Sequence, residues 1–274
     1  MLPFAAVIFD NDGLLLDTEE AWTRAEETLF DRRGQVWTTA HKRDLIGSAG
    51  PVAEGKLERM LALPGEGAAL MTELEGLVME EVLAGVAPRP GALELLAKLG
   101  AAGVPLGLAS NSTRPFVERV LDGAGLLGTA SPFGVVVTAD DVEHPKPAPD
   151  LYLTAAAALG ADPTRCAGLE DSPPGATAAL AAGLFVIGVP YFSDGELPAG
   201  VHLRAGSLAD PEVHAALGVE TCVDRARRVA ALRRRPAHPP RDDVVDPGWI
   251  EKSSGLPGAR GVVSGGRGKR STGS

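Results

Sequence analysis

Short apolar runs alternate along the chain with longer segments of helical periodicity. The apolar runs have the length of ordinary strands and show no polar alternation, which is typical of strands buried on both faces. They are residues 5–9, 104–109, 134–138, 166–169 and 185–189. The helical segments begin near Pro, Ser or Thr and end near Gly, as helices commonly do. They are residues 90–103, 113–125, 149–160 and 173–183. The pattern predicts an α/β fold with a Rossmann-like, doubly wound parallel sheet.

One connection departs from this alternation. Residues 18–87 contain no run of strand type, and three segments there have apolar positions at helical spacing. They are residues 19–33, 51–63 and 67–83. We therefore expect an all-helical domain at residues 18–87, inserted into a core that residues 1–17 and 88–224 form.

Length and composition narrow the class of protein. A chain of 274 residues with 45% hydrophobic content buries a large core. The two cysteines, Cys166 and Cys222, form no CxxC pair, so neither a disulfide framework nor a structural zinc site is indicated. No apolar stretch approaches the roughly 18 residues of a membrane span, and the apolar start lacks a basic region before it. We expect a cytoplasmic protein with no membrane partner, and we expect a monomer.

Charge is distributed unevenly along the chain. The formal net charge is −10, but residues 225–274 carry 12 Lys and Arg against 4 Asp and Glu, so the body before them is strongly acidic. An acidic body does not favour nucleic acid as a partner. The basic extension is rich in Gly, Ser, Pro and Arg, and we expect disorder from about residue 236. It is either a solvated extension without a specific role or a weak attachment to anionic polymers.

Polar side chains follow four of the predicted strands. Taken one at a time, they are explained as turn residues, helix caps or an exposed lysine. They are Asp10 and Asp12 in FDNDGLLLDTE, Ser110 and Asn111 in LASNS, Lys146 in HPKPAPD, and Glu170 and Asp171 in GLEDS. Because the carboxyl ends of parallel strands meet at one edge of the sheet, we expect these side chains to lie together.

The residue types in this set suit phosphoryl chemistry. Residues two apart in an extended segment point the same way, so Asp10 and Asp12 can face one substrate. Carboxylates are ligands that Mg²⁺ prefers, whereas Ser110 and Lys146 can hold phosphate oxygens. One carboxylate, Asp10, can attack phosphorus while Asp12 transfers a proton. The set predicts a Mg²⁺-dependent enzyme that acts on a small phosphate ester.

Four motifs in order, DNDGLLLD, LASNS, KPAPDLY and GLEDSPPG, resemble those of the haloacid dehalogenase-like hydrolases that carry a helical cap after the first motif. The resemblance covers residues of about 4–220. It implies that Asp10 is the nucleophile and Asp12 the acid and base. It also implies that Ser110, Asn111 and Lys146 bind phosphate. The implied Mg²⁺ ligands are Asp10, the Asp12 carbonyl and Asp171. Glu170 either binds Mg²⁺ directly or contacts the residues that do.

Particular residues discriminate between branches of that family. Asp12 argues against carbon–halogen cleavage, because the founding dehalogenases lack this second acid. Lys42 and Lys56 lie in the cap without a phosphonatase motif. Trp22 and Gly50 stand where β-phosphoglucomutases show His and Arg, and the run DNDGLLLDTEEAW resembles sugar-phosphate phosphatases. Trp22 is the candidate cap residue for substrate contact, with packing inside the helical bundle as the alternative.

The expected function is hydrolysis of a small phosphorylated metabolite, a sugar phosphate, through an aspartyl-phosphate. A phosphomutase that uses the same intermediate is the first alternative. A receiver-like signalling domain also gathers acids, a hydroxyl and a lysine around Mg²⁺. Such a domain predicts neither a second acid two residues after the nucleophile nor a long helical insertion, and both features are present here.

The basic extension provides a first test. Deletion of residues 236–274 is expected to leave the melting temperature and phosphate release nearly unchanged, because this segment has no apolar face with which to dock. Thermal melts and a phosphate assay on the full and shortened chains measure both quantities. A loss of several degrees would show that the extension binds the acidic body.

Overall fold

The computed structural model describes residues 2–48, 50–83 and 85–220. In this part of the chain the strands form one sheet in the order β3-β2-β1-β4-β5-β6, and all paired neighbours are parallel. The strands are β1 (Ala6–Phe9), β2 (Leu106–Ala109), β3 (Val135–Val137), β4 (Cys166–Glu170), β5 (Phe185–Gly188) and β6 (Leu203–Arg204). The predicted fold class is confirmed. From β1 the chain continues outward through β2 to β3, and it then returns to form β4 on the other side of β1. In such sheets, ligands bind at the carboxyl ends of the strands where the order reverses, here β1 and β4.

Helices occupy the connections. Those of the long connection after β1 are α1 (Thr18–Asp31), α2 (Thr39–Leu45), α3 (Gly50–Leu61) and α4 (Gly67–Leu83). Those between or after the remaining strands are α5 (Ala92–Ala101), α6 (Arg114–Gly123), α7 (Asp150–Ala158), α8 (Pro173–Ala181) and α9 (Pro211–Ala216). Short 3₁₀ turns precede β3, follow it and precede β4.

Strand β1 is buried on both faces. Val7 and Phe9 pack in a hydrophobic cluster with α5 and α6, whereas Ala6 and Ile8 pack on the opposite face against α7 and α8. Two covered faces leave no solvent side for polar residues. This packing explains why the strand appears in the sequence as a continuous apolar run.

The insertion between β1 and α5 is helical, as its periodicity predicts. Helix α4 packs against both α1 and α3, and the side chains between them are fully buried, among them Leu29, Phe30, Leu57 and Leu70. All described residues belong to one compact unit. The boundaries of a separate cap domain at residues 18 and 87 stay a prediction.

The sequence pattern did not reveal β6, α2 or α9. Strand β6 is two residues long, too short to show periodicity. Helix α2 has the polar sequence TAHKRDL and begins with a capping box, in which the Thr38 hydroxyl accepts from the His41 amide and the His41 ring accepts from the Thr38 amide. Its single large apolar residue, Leu45, gives no periodic signal.

Within the described ranges, no helix is both long enough and apolar enough to cross a membrane. The predicted basic extension, its expected disorder and Cys222 lie outside the described residues.

Candidate active site

Three buried carboxylates meet where β1 and β4 end. Asp10 follows β1, Glu170 is the last residue of β4, and Asp171 follows it. Phe9 pairs with Leu169 in the sheet, and the Asp10 amide donates to the Leu169 carbonyl at 3.0 Å. One carboxylate oxygen from each of the three acids lies within 4.8 Å of the other two. The structure thus brings together acids that the sequence places at two separate strand ends.

Lys146 is buried among these acids. Its Nζ donates to Asp10 Oδ1 at 2.5 Å, to Glu170 Oε1 at 2.6 Å and to the Ala109 carbonyl at 2.8 Å. Burial by itself would lower the pKa of Lys146, but the charges of Asp10 and Glu170 outweigh burial and raise the pKa. The ammonium group is therefore charged, and its donors are fully engaged.

Asp171 has a buried carboxylate oxygen that no described residue contacts with a hydrogen-bond donor. Burial raises the pKa of Asp171 and of Asp10, and the neighbouring carboxylates raise both further. Asp171 Oδ2 is buried and accepts no hydrogen bond from any described residue. A buried carboxylate oxygen without a donor, beside further carboxylates, is a donor set that suits a hard divalent cation. The residues present therefore fit the predicted Mg²⁺.

Gly13 makes the turn after β1 possible. Its φ of +78° lies in the left-handed region. A Cβ at this position would also collide with the Asp171 carboxylate. The glycine thus lets the loop of β1 approach the loop of β4.

Asp12 is half-buried and is held by hydroxyl groups. Thr18 Oγ1 donates to Asp12 Oδ1 at 2.8 Å, and the Oγ atoms of Ser110 and Ser112 each donate to Oδ2 at 2.9 Å. Thr18 is the first residue of α1, and both serines follow β2. The predicted acid and base is therefore oriented from two other parts of the chain, which the sequence did not indicate for Thr18 and Ser112.

The two predicted phosphate-binding residues after β2 are engaged with the protein. Ser110 is fully buried and is not among the residues that line the adjacent cavity, whereas Asn111 is. The Asn111 amide donates to the Lys146 carbonyl at 3.1 Å and accepts from the Lys146 amide at 2.8 Å. These bonds position Asp12 and Lys146. Direct phosphate contact by Ser110 and Asn111 stays a prediction.

Tyr152 and Ser172 belong to the site although sequence reasoning did not select them. The Tyr152 hydroxyl donates to Glu170 Oε1 at 2.6 Å, and Ser172 Oγ donates to Glu170 Oε2 at 3.2 Å. With Lys146 these donors occupy the Glu170 carboxylate, which favours a place for Glu170 behind the metal ligands. The one signal for Tyr152 was its place in KPAPDLY, and an aromatic residue at the start of a helix is otherwise read as packing.

A cavity of about 590 Å³ lies between the helices of the insertion and the strand ends. Asp10, Asp12, Lys146 and Asp171 lie at its base. Much of the wall that the insertion provides is apolar. It includes Leu45, Leu57, Leu74, Val78, Met71 and Met79. A volume of this size accommodates a small metabolite.

A buried charged group interrupts the apolar wall. Lys42 Nζ lies 2.5 Å from Glu19 Oε2 and 3.6 Å from Glu26 Oε1, and Trp37 Nε1 donates to Glu26 Oε2 at 3.2 Å. Burial raises the pKa of Glu26 to about 7 and also raises that of Glu19, while Lys42 opposes both shifts. The two acids are two helical turns apart on α1, so they share one face, and this spacing was the available sequence signal.

Trp22 both packs and lines the cavity. Its indole is half-buried, and its ring centroid lies 5.7 Å from that of Phe116 on α6. Both rings contribute to the cavity wall. The structure thus shows packing of Trp22 against α6 and a place in the cavity wall, and contact of Trp22 with a substrate stays a prediction.

Comparisons with known proteins find relatives of this chain in sequence and in fold. The model of a family described as haloacid dehalogenase-like hydrolases matches residues 4–183. The chain is 32% identical to the validoxylamine A 7'-phosphate phosphatase of Streptomyces hygroscopicus subsp. limoneus, over 70% of this chain and 89% of that protein. It is 35% identical to hexitol phosphatase A of Escherichia coli, over 66% and 81%. Structures of CbbY from Rhodobacter sphaeroides, with phosphate or with xylulose 1,5-bisphosphate, superpose with a TM-score of 0.67 at 30% identity, over 78% of this chain and 99% of theirs.

The position of Trp22 predicts a change in substrate preference. Trp22→Ala is expected to raise KM for a sugar phosphate much more than for p-nitrophenyl phosphate, because the indole borders the space that the larger alcohol occupies. The loss of stability should fall below the roughly 3–5 kcal/mol of a fully buried aromatic residue. Kinetics on both esters, with thermal melts, measure the two effects.

Phe30→Leu is the matched control. Phe30 is fully buried in the same bundle and does not line the cavity, so this change should lower the melting temperature and leave the ratio of the two substrates unchanged. A Trp22→Ala variant that behaves in the same way would restrict Trp22 to packing.

Proposed function

Because the chain belongs to the haloacid dehalogenase-like hydrolase family, as its four motifs predicted, we propose that it is a Mg²⁺-dependent phosphatase that hydrolyses a small sugar phosphate. The observation that carries the proposal is the cluster of Asp10, Lys146 and Asp171 at the base of a cavity of metabolite size. Relatives named for phosphatase action on hexitol phosphates and on validoxylamine 7'-phosphate support this substrate class.

In this proposal Asp10, Asp171 and the Asp12 carbonyl hold Mg²⁺, and Glu170 orients Lys146 and the loop behind them. The bound cation would neutralise charge on the carboxylates and on the phosphate, so that an anionic nucleophile can approach an anionic ester. Lys146 contributes a second positive charge at the same place, already fixed by its bonds to Asp10 and Glu170.

Asp10 is the nucleophile. One of its carboxylate oxygens forms a bond to phosphorus as the bond from phosphorus to the ester oxygen breaks, which leaves an aspartyl-phosphate. The departing oxygen takes a proton from Asp12, and the alcohol leaves. Water then attacks the phosphorus and gives a proton to Asp12, the bond to Asp10 breaks, and inorganic phosphate is released. The three hydroxyl groups around Asp12 keep its carboxyl group in place for both transfers.

The charge of the cavity wall favours hydrolysis over the alternative of a phosphomutase. A sugar phosphomutase of this kind holds a bisphosphate between its steps and needs cationic groups at both ends. Among the described residues that line the cavity, the cations are Lys146 at its base and Lys42, which is paired with two carboxylates. Further acids lie in or at the edge of the same wall, namely Glu54, Glu75 and Glu143. Such a wall repels a second phosphate.

A receiver-like signalling domain explains fewer of these features, because such a domain needs neither the second acid, Asp12, nor a cavity of this size. Action as a cytoplasmic monomer stays a prediction.

The nucleophile provides the direct test. Asp10→Asn is expected to fold normally and to lose phosphate release by at least about a thousandfold, because an amide does not attack phosphorus. The assay measures free phosphate from a panel of hexitol and sugar phosphates with Mg²⁺, and product analysis distinguishes free phosphate from a rearranged sugar phosphate. Asp31→Asn, at an exposed position on α1, is the control and should retain full activity. Retention of a tenth of the rate by Asp10→Asn would exclude the covalent mechanism.

The proton donor is tested by varying the leaving group. Asp12→Asn should be severely impaired on alkyl phosphates and less impaired on aryl phosphates, because a phenolate leaves without a proton. Turnover of p-nitrophenyl phosphate and of a hexitol phosphate by the same variant supplies the comparison. Equal losses on both esters would contradict the assignment of Asp12 as the general acid.

A further inference from the structure

Lys42 and Glu26 leave hydrogen-bonding capacity unused beside one another in the cavity wall. Lys42 Nζ is paired closely with Glu19, but its distance of 3.6 Å from Glu26 Oε1 is too long for a hydrogen bond. The other oxygen of Glu26 accepts from Trp37. An ammonium group has three donors, and no further partner for Lys42 Nζ or for Glu26 Oε1 occurs among the described residues.

Lys42 Nζ and Glu26 Oε1 lie 3.6 Å apart in the wall of one cavity, so a group that both accepts and donates can bond to the two atoms at once. Neither atom is among the enclosed polar atoms that lack a hydrogen bond in the described residues, and both residues line the cavity, so the two atoms stay open to a ligand. A hydroxyl meets both needs, because it can accept from Lys42 and donate to Glu26. Water can take the same place in the free protein, and a substrate hydroxyl would then replace it without loss of bonds.

The alternatives of other charge fit the gap less well. A phosphate or carboxylate would meet the carboxylates of Glu19 and Glu26. An ammonium group has no acceptor, so it could not take a hydrogen bond from Lys42. An alkyl group would displace water and leave the donor and the acceptor unsatisfied. A neutral hydroxyl is the remaining common group.

On the basis of the proposed function, we propose that Lys42 and Glu26 bind a hydroxyl group of the alcohol whose phosphate lies at Asp10. The same cavity is lined by Asp10 at its base and by Lys42, Glu26 and Glu19 in its wall, so one small molecule can contact both. This contact makes the enzyme selective for monophosphates of polyhydroxy alcohols over alkyl phosphates of the same length.

Among the described residues, Lys56, a second lysine of the insertion, makes polar contacts only within the insertion and so has a structural role. Lys56 of α3 donates to the Asp44 carbonyl and, at 2.8 Å, to Ser48 Oγ, and its Nζ lies 3.4 Å from Asp44 Oδ1. Lys56 is not among the residues that line the cavity. It joins α3 to the end of α2 and provides a matched control for Lys42.

The test compares glucitol 6-phosphate with n-hexyl phosphate, which have equal chain lengths and differ in hydroxyl groups. Lys42→Met is expected to lower kcat/KM for glucitol 6-phosphate by about tenfold or more, chiefly through KM, and to change the value for hexyl phosphate little. Lys56→Met should leave the ratio of the two esters as it is in the unsubstituted enzyme. Thermal melts identify any general loss of structure.

Glu26→Gln keeps the test decisive if Lys42→Met does not fold, because the amide preserves shape and can still accept from Trp37. Burial raises the pKa of Glu26 to about 7, so the assay is run above this pH, where Glu26 is a carboxylate. A neutral amide binds a hydroxyl more weakly than a carboxylate, so the same ratio should fall by about fivefold. An unchanged ratio in the folded variants, or equal losses on both esters, would overturn the inference. If the unsubstituted protein released phosphate from no member of the panel of hexitol and sugar phosphates, the proposed function would be overturned and this inference with it.

Discussion

The site depends on the compensation of buried negative charge at the ends of β1 and β4. Asp10, Glu170 and Asp171 lie close enough to repel one another by on the order of a few kcal/mol per pair at the effective dielectric of a protein interior. Lys146 offsets part of this repulsion, and the unpartnered oxygen of Asp171 indicates where a cation would offset the rest. The residues at this place therefore fit a divalent cation, which the proposed reaction requires.

The first turn of α1 connects the chemistry to substrate selection. Thr18, its first residue, holds Asp12, and Glu19, its second, holds Lys42 in the cavity wall. Two consecutive residues therefore contact the proposed proton donor, Asp12, on one side and the proposed hydroxyl-binding group, Lys42, on the other. A displacement of α1 would alter both, so the helical insertion does more than cover the strand ends.

Much of the fold and part of the site followed from local features of the chain. Strands buried on both faces produce apolar runs, and in a parallel sheet the residues after such runs share one edge. This rule predicted that Asp10, Lys146 and Asp171 lie together, and the structure has them together. The sequence pattern did not predict the short elements. Strand β6 (Leu203–Arg204) is too short to show alternation, and α2 has one large apolar residue, so it shows no helical periodicity. The division between a core and a cap, and the roles of the site residues, stay predictions.

The sequence by itself determined which side chains follow each strand, because strand burial and chain direction decide where those side chains are placed. Tertiary structure alone decided their partners. The bonds of Ser110 and Ser112 to Asp12, of Tyr152 to Glu170, and of Lys42 to Glu19 join residues that are far apart in the chain, and no local pattern encodes such a contact. Packing of the helices against the sheet sets these distances, and with them the direction in which each polar group can still bind a ligand.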